Sequence, residues 1–521
     1  MKITRILAPV ILLSILLSTF QIGEIQAFNR SSGLAISNPA KKPDLSVKTN
    51  RSSSTNPSIS IAPDLRAQTG SCHFGMTVPN GVAGYDLSIL GVDGYLDWWY
   101  VRNSSVAANI QYYPMLGVSD AYYQTNLTNL PALLSANPGA TWIIGNEPDS
   151  EVTYQDHITA ESYAERFYAM AKIIRSQDPT AKITFGTIIQ PTPVRLYYLS
   201  KAIDRLVQLA QQDGKTRADA LSLIDIYSIH AFILNEQPLY DSNGKNINWG
   251  AGIPLGYDAN TWPPIEVIAP GPPTYDINTF KDRVIKFRQW MNALGPLEQS
   301  KPLWITEYGS LFPTWLGVTE LQTATYMEQT FDFMLGTKDA TLGNASDDNR
   351  LVQKWFWYSL NELVTKFGGS LYNPLTQQIT TVGDHFIKYN PSTTIIPVTD
   401  PDAYIDPTHL TIGPGSMGHY KVTVKVGNTV SSDRLTGVQV DLLDGANVVG
   451  TVTTNLPRCA GILPVSFDVS NLVAGTAYSF TARVTLVPGN GTDLDPSNDE
   501  ITFPSVTMPV LYNSMLPLVL K

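Results

Sequence analysis

From Cys72 onward the chain places its apolar residues in short, near-continuous runs. They are FGMTV (74–78), YLDWWYV (95–101), IQYYPMLGV (110–118), TWIIGNEPD (141–149), KITFGTIIQ (182–190), LIDIYSIHAF (223–232), KPLWITEYG (301–309) and VQKWFWYSL (352–360). Runs this apolar suit parallel strands that helices cover on both faces. From the fourth run onward they alternate with stretches whose apolar positions step by three and four. In AESYAERFYAMAKIIRSQD (160–178), Tyr163, Phe167, Met170, Ile173 and Ile174 fall on one helical stripe. Residues 194–214, 277–295 and 319–336 repeat the pattern. Eight strand-like runs are the number a closed parallel barrel requires, so the reading is α/β, a (β/α)8 TIM barrel over residues 72–390. The link between the second and third runs, RNSSVAAN, is too short for a full helix. A doubly wound open sheet is the rival, but no GxGxxG or GxxxxGK[ST] motif supports it.

Past residue 390 the period changes. HYKVTVKV (419–426), GVQVDLLD (437–444), NVVGTVTT (447–454) and YSFTARVTLV (478–487) alternate residue by residue, with DGAN and PGNG as turns. That pattern predicts a small all-β immunoglobulin-like sandwich over 391–521, read as a spacer or packing module ahead of a carbohydrate-binding one. Its apolar tail LYNSMLPLVLK is too short to span a bilayer. At the other end, Lys2 and Arg5 precede an apolar run from Ile6 to Leu17 and a polar stretch ending at Ala27, the layout of a signal peptide over 1–27. Residues 28–71, rich in Ser, Asn and Pro without hydrophobic period, read as a disordered spacer.

Composition narrows the function. A hydrophobic fraction of 43% with 15% charged residues is that of a globular protein. Removing residues 1–27 takes away Lys2, Arg5 and Glu24, so the formal charge of −10 becomes −11. An acidic surface argues against nucleic acid and suits a neutral polymer. A secreted or cell-surface monomer with no membrane span after signal removal is expected. The 10 Trp and 25 Tyr serve a large core, a sugar-stacking surface, or both. The two cysteines, Cys72 and Cys459, lie in different expected domains and exclude a disulfide framework; whether they pair is open. No metal-ligand spacing, HExxH or GxSxG elbow appears, and nothing calls for a cofactor.

Two glutamates carry the chemistry. Glu147 ends the fourth run and Glu307 the seventh, each after an almost wholly apolar strand body. A charge there is costly unless the strand end opens onto a polar cleft. Strand C-termini are where a barrel gathers its catalytic groups. Cleaving a glycosidic bond with retention needs two such carboxyl groups, one to donate a proton and one to attack the anomeric carbon.

Asn146-Glu147-Pro148 and Thr306-Glu307 resemble the two signatures of the large clan of retaining barrel glycosidases. The resemblance implies Glu147 as acid/base, Glu307 as nucleophile and Asn146 as donor to the sugar 2-hydroxyl. Glu147 is then expected to hold a raised pKa and Glu307 to ionise readily. A closer likeness is to glycoside hydrolase family 128, whose members are β-1,3-glucanases. It rests on DLSILGVDGYLDWWY (86–100), YYPMLGV (112–118), WIIGNEPD (142–149) and PLWITEYG (302–309), and covers residues 73–390. The sequence departs from the family in the length of the segment 233–277, which places substrate choice outside what the family implies.

The same clan often sets a His or Tyr beside the nucleophile, which points to His230 and, less directly, to Tyr308 and Tyr227. It commonly floors the sugar site with a Trp from the eighth strand. Trp357 fits that role, with Trp355 as barrel filling. Trp99, beside Trp98 and Tyr100, offers a stacking face. In the long loop Tyr240, Trp249, Tyr257, Trp262 and Tyr275 either grip a polysaccharide or pin the loop to the barrel. The reading is a secreted retaining hydrolase of β-linked polysaccharide, β-1,3-glucan first. Another retaining glycosidase or transglycosylase of the clan, and a non-catalytic carbohydrate-binding surface protein, are the alternatives.

Overall fold

A computed structural model describes residues 72–107, 109–151, 155–237, 250–266, 274–312, 317–362, 367–416 and 418–510. The expected signal peptide, spacer and apolar tail, and loop residues Tyr240 and Trp249, lie outside the described residues.

The apolar runs become β1 (Phe74–Thr77), β2 (Gly94–Leu96), β3 (Gln111–Tyr112), β4 (Met115–Leu116), β5 (Thr141–Ile144), β6 (Lys182–Ile188), β7 (Ile226–His230), β8 (Leu303–Tyr308) and β9 (Lys354–Trp357). They pair side by side, all parallel, in the order β3-β2-β1-β9-β8-β7-β6-β5-β4. β3 and β4 are two halves of one run broken at Pro114, which has no N–H to give. Tyr113 N–H still reaches Tyr95 O on one side (3.0 Å), while Pro114 O accepts from Ile143 N–H on the other (2.9 Å). The ring therefore closes with eight positions, the third interrupted.

α1 (Tyr123–Ala136), α2 (Ala160–Gln177), α3 (Pro193–Gln212), α4 (Arg217–Leu221), α5 (Ile277–Leu294), α6 (Pro296–Gln299), α7 (Glu320–Gly336) and α8 (Thr381–Lys388) wrap the later positions. Side chains fix where they start. Thr159 accepts from Ser162 N–H, Asp276 from Thr279 N–H, and Thr319 forms a reciprocal box with Gln322. The first two positions carry no α-helix; one short turn, Ser88–Leu90, lies between β1 and β2.

Alternation sorts the barrel side chains into two layers. Leu96, Tyr113, Met115, Ile143, Ile226, Trp304 and Phe356 form a cluster of their own inside the ring. Tyr113 meets Trp304 and Phe356 edge-on, with centroids 5.1 and 5.3 Å apart. Gly75 gives Phe356 its space, since a Cβ there would stand 2.4 Å from the ring. Trp142, Ile144, Ile305, Trp355 and Trp357 face the helices instead.

Residues 403–507 form the second module. β10 (Ala403–Pro414), β11 (Tyr420–Asn428) and β14 (Ile462–Val469) make one antiparallel sheet. β13 (Asn447–Leu456), β12 (Thr436–Asp444), β16 (Phe480–Leu486) and β17 (Glu500–Thr502) make the other. Val422, Val424, Val438, Val440, Phe467 and Val484 close a core of their own between the sheets. β10 and β14 had no counterpart among the alternating runs. β10 carries a register shift between Ile405 and Leu410 that breaks its two-residue period.

The sandwich is fastened under the barrel, at the N-terminal ends of its strands. Cys72 is bonded to Cys459. Arg458 is buried there, donating to Tyr389 O (2.6 Å), Phe386 O (2.9 Å) and Leu90 O (3.2 Å), with its guanidinium 4.5 Å from the Phe74 ring centre. His73 sits between Asp433 of the sandwich (2.8 Å) and Asp347 of the barrel (3.3 Å). Burial pulls His73 down, but the two carboxylates outweigh it and raise it to about 9. Among the described residues no helix is long and apolar enough to cross a membrane.

A histidine raised from 6.5 to about 9 adds stability that is complete below pH 6.5 and is lost as pH climbs through about 9. At about 1.36 kcal/mol per pKa unit the effect is on the order of 3 kcal/mol. Denaturant unfolding followed across that window should show the loss, and His73→Gln should flatten it. An unchanged slope in the variant would refute the assignment.

Candidate active site

The C-terminal end of the ring brings Glu147, His230 and Glu307 together. One side-chain ligand atom from each lies within 4.8 Å of the other two. His230 Nδ1 stands 2.8 Å from Glu147 Oε1, and Nε2 lies 3.3 Å from Glu307 Oε1, a charge contact off the hydrogen-bonding direction. Exposure is 2%, 0% and 5% for Glu147, His230 and Glu307, so all three are shielded from bulk water.

Local irregularities aim these groups. On β8, Leu303 and Ile305 face the helices and Trp304 the lumen, so strict alternation sends Glu307 outward. A register shift between Ile305 and Tyr308 inserts the extra residue that turns Glu307 inward. Glu147 takes a left-handed backbone (φ 45°), which a non-glycine residue adopts at a cost of about 1 kcal/mol or more. It is held there by its N–H donating to Thr187 O (3.0 Å), itself left-handed at φ 49°.

The electrostatics follow from burial. Burial pulls His230 down, but Glu307 and Glu147 outweigh it and raise it from the ordinary histidine value. Burial pushes Glu307 up; His230 pulls it down, Glu147 pushes it up, and Trp98 pulls it down, leaving it at about 7. The expectation that Glu307 ionises readily is thus corrected, because burial beside a second carboxylate outweighs the two groups that favour its charge.

Trp98, which the sequence offered only beside Trp99, reaches the site directly. Its indole N–H donates to Glu307 Oε1 at 2.5 Å. Trp99, the stacking face expected from the sequence, is 42% exposed and stacked on Tyr100 at 4.4 Å. Trp98 takes a left-handed backbone (φ 58°) two residues past the end of β2. The expected place of Trp357 at the floor of the sugar site is corrected. This residue is fully buried on the helix side, donates to Gly369 O (2.8 Å) and packs on Tyr308 and Phe331. With Phe356 in the lumen, the next inward position is Tyr358, which meets Trp98 and Phe232 with centroids 5.9 Å apart in each pair. Counting by two from Phe356 finds Tyr358 in the sequence alone.

Tyr308 is likewise outside the cleft, packed against Phe280 of α5 and contacting Thr330 of α7. Tyr227 faces outward too and donates to Glu298. Asn146 flanks Glu147, but its Nδ2 donates to Gln155 (2.5 Å), and its Oδ1 has no partner among the described residues. In the long loop Trp262 is pinned between Tyr197 and Tyr257, and Tyr275 accepts from Gln322, so these aromatics anchor the loop.

Among the described residues two groups have enough donors for a metal ion. In Cys72, Asp433 and Cys459 both sulfurs are spent in the disulfide. In Glu147, His230 and Glu307 the imidazole stands between the carboxylates with a different nitrogen toward each, an arrangement suited to carrying a proton.

No protein-family model and no curated protein matches the chain. Among solved structures it is similar to a glycoside hydrolase family 128 (subgroup VI) exo-β-1,3-glucanase from Aureobasidium namibiae, at 10% identity and TM-score 0.37, over 63% of this chain and 99% of that one. It is also similar to a family 128 (subgroup VII) oligosaccharide-binding protein from Trichoderma gamsii, at 14% identity and TM-score 0.36, over 61% and 93%. A glucosidase from Croceicoccus marinus gives 9% identity and TM-score 0.36, over 76% and 93%. These are distant likenesses, and the chemistry is read from the residues of the site.

The Trp98 hydrogen bond predicts its own removal. A hydrogen bond to a charged group is worth about 1.5–3 kcal/mol, so Trp98→Phe should raise Glu307 by about one pH unit or more. A carboxyl-carbon NMR titration, assigned with Glu307→Gln, reads the shift directly. A Glu307 midpoint that stays put or falls would rule the bond out.

Proposed function

We propose that the chain is a secreted retaining glycoside hydrolase acting on a β-linked polysaccharide, with β-1,3-glucan as the first candidate. The observation that carries this is the pair of buried carboxylates at the barrel mouth, one oxygen of each within 4.8 Å of one of the other's, too close to seat a water between them as an inverting pair does. Retaining enzymes hold theirs roughly 5–5.5 Å apart; inverting ones need roughly 6.5–9.5 Å to admit a water.

In this reading Glu307 attacks the anomeric carbon while Glu147 protonates the departing glycosidic oxygen. The carbon–oxygen bond breaks and a glycosyl ester forms on Glu307. Glu147, now a carboxylate, takes a proton from water as that water attacks the same carbon, which releases the sugar and restores both groups. Burial and Glu147 raise Glu307, and His230 and Trp98 are the two groups at hand to stabilise its charged form for attack. Glu147 suits the acid because its Oε2 is buried and without a protein partner among the described residues.

Trp98, Tyr358 and Phe232 supply apolar faces beside the carboxylates, as a sugar ring requires. The glucan assignment rests on the motif resemblance. Secretion is supported by the N-terminal pattern and by the Cys72–Cys459 bond, a linkage favoured in oxidising compartments.

Glu307→Ala should release nothing from laminarin. With an activated aryl β-glycoside and azide it should yield the α-glycosyl azide. A β-azide from this variant would exchange the two roles, and full activity would discard the site. Lichenan, mannan and xylan, tested beside laminarin, decide the polymer.

The pH profile gives a second test. The nucleophile must be ionised, so kcat/KM should fall about tenfold per unit as pH drops below about 7. A flat profile from pH 5 to 7 would contradict this.

A further inference from the structure

A second buried charge cluster lies beside the catalytic pair and takes no part in the chemistry above. Arg195, in the first turn of α3, is fully buried together with Asp149 and Glu236. Its Nη1 donates to Asp149 Oδ2 (2.5 Å) and to Asp149 O (3.0 Å). Its Nε donates to Glu236 Oε2 (2.9 Å), and its Nη2 reaches Gly252 O. One guanidinium therefore ties the turn that follows Glu147 to both limbs of the loop after β7.

The limbs are joined to each other and to that turn independently. Ala251 N–H donates to Asn235 O (2.6 Å), and Ser150 Oγ donates to Ala251 O (2.7 Å). Gly252, at φ 75°, lies so close to Glu151 that a Cβ would stand 2.7 Å from its backbone nitrogen. Gln190 carries the bracing on, donating to Glu236 (3.1 Å) and accepting from Leu234 N–H (2.9 Å) and Arg283 (3.0 Å).

Resting on the acid/base role assigned to Glu147, we propose that Arg195 is its positioning residue. It seats the base of the long loop on the acid/base turn, so that the cleft wall and the proton donor are set together. The limbs at Glu236 and Gly252 and the acid's turn then move as one piece. A lysine at this position keeps the charge but not the planar fork of donors that reaches three backbone segments at once.

A displaced proton donor has a signature that general loosening lacks, because only poor leaving groups need protonation. The probes are 2,4-dinitrophenyl and 4-methylphenyl β-laminaribioside. Arg195→Lys should lose about a hundredfold in kcat/KM on the methylphenyl substrate, within the range general acid catalysis supplies, and little on the dinitrophenyl one. Gly252→Ala, which disturbs the same seat without unpairing a buried charge, should show the same bias and decides the matter if Arg195→Lys does not fold. Equal losses on both substrates, or none, overturn the proposal while leaving the hydrolase assignment intact. A wild type inert on laminarin and on both glycosides overturns the hydrolase reading and this inference with it.

Discussion

Two carboxylates closer than 5 Å and shut away from water repel one another, and much of the mouth of this barrel answers that repulsion. At an effective dielectric of about 20 the pair costs about 3–4 kcal/mol when both are charged. A buried imidazole between them, an indole N–H on one of them and a left-handed backbone under the other are the means by which the pair is held. None of these groups is explained by packing alone. The bulge in β8 belongs to the same arrangement, since a regular strand would have carried Glu307 to the helix side.

Below the mouth the physics is simpler. Tyr113, Trp304 and Phe356 fill the lumen where Gly75 leaves space, which gives the strand ends a solid floor. The sandwich's disulfide, its buried Arg458 and its Asp433 all meet the opposite end of the strands.

Hydrophobic period made the architecture legible. The strand runs, the amphipathic helices and the change to two-residue alternation past residue 390 each reflect burial, which composition and spacing record directly. Glu147, Glu307 and His230 were legible for a related reason: polar residues ending apolar strands need a polar destination. The aromatic neighbours were read less well, although the period of β9 holds Tyr358. Trp357 lies on a strand whose alternation runs straight, so placing it on the inward face errs in the phase of the pleat, while Trp98 sits in a left-handed turn past the end of β2 that hydrophobic period does not record. Arg195 gave no signal, because an arginine in the first turn of an amphipathic helix reads as surface until its two carboxylates arrive from segments 46 and 41 residues away.

The bond between Cys72 and Cys459 joins residues 387 positions apart. It turns everything from the first barrel strand to the middle of the sandwich into one covalent ring. The loop after β7 lies inside that ring, and so does every catalytic group. A protease that cuts the backbone once between residues 237 and 250 opens the ring without dividing it. The two sides of the cut stay in one molecule, each still packed in its own half of the barrel.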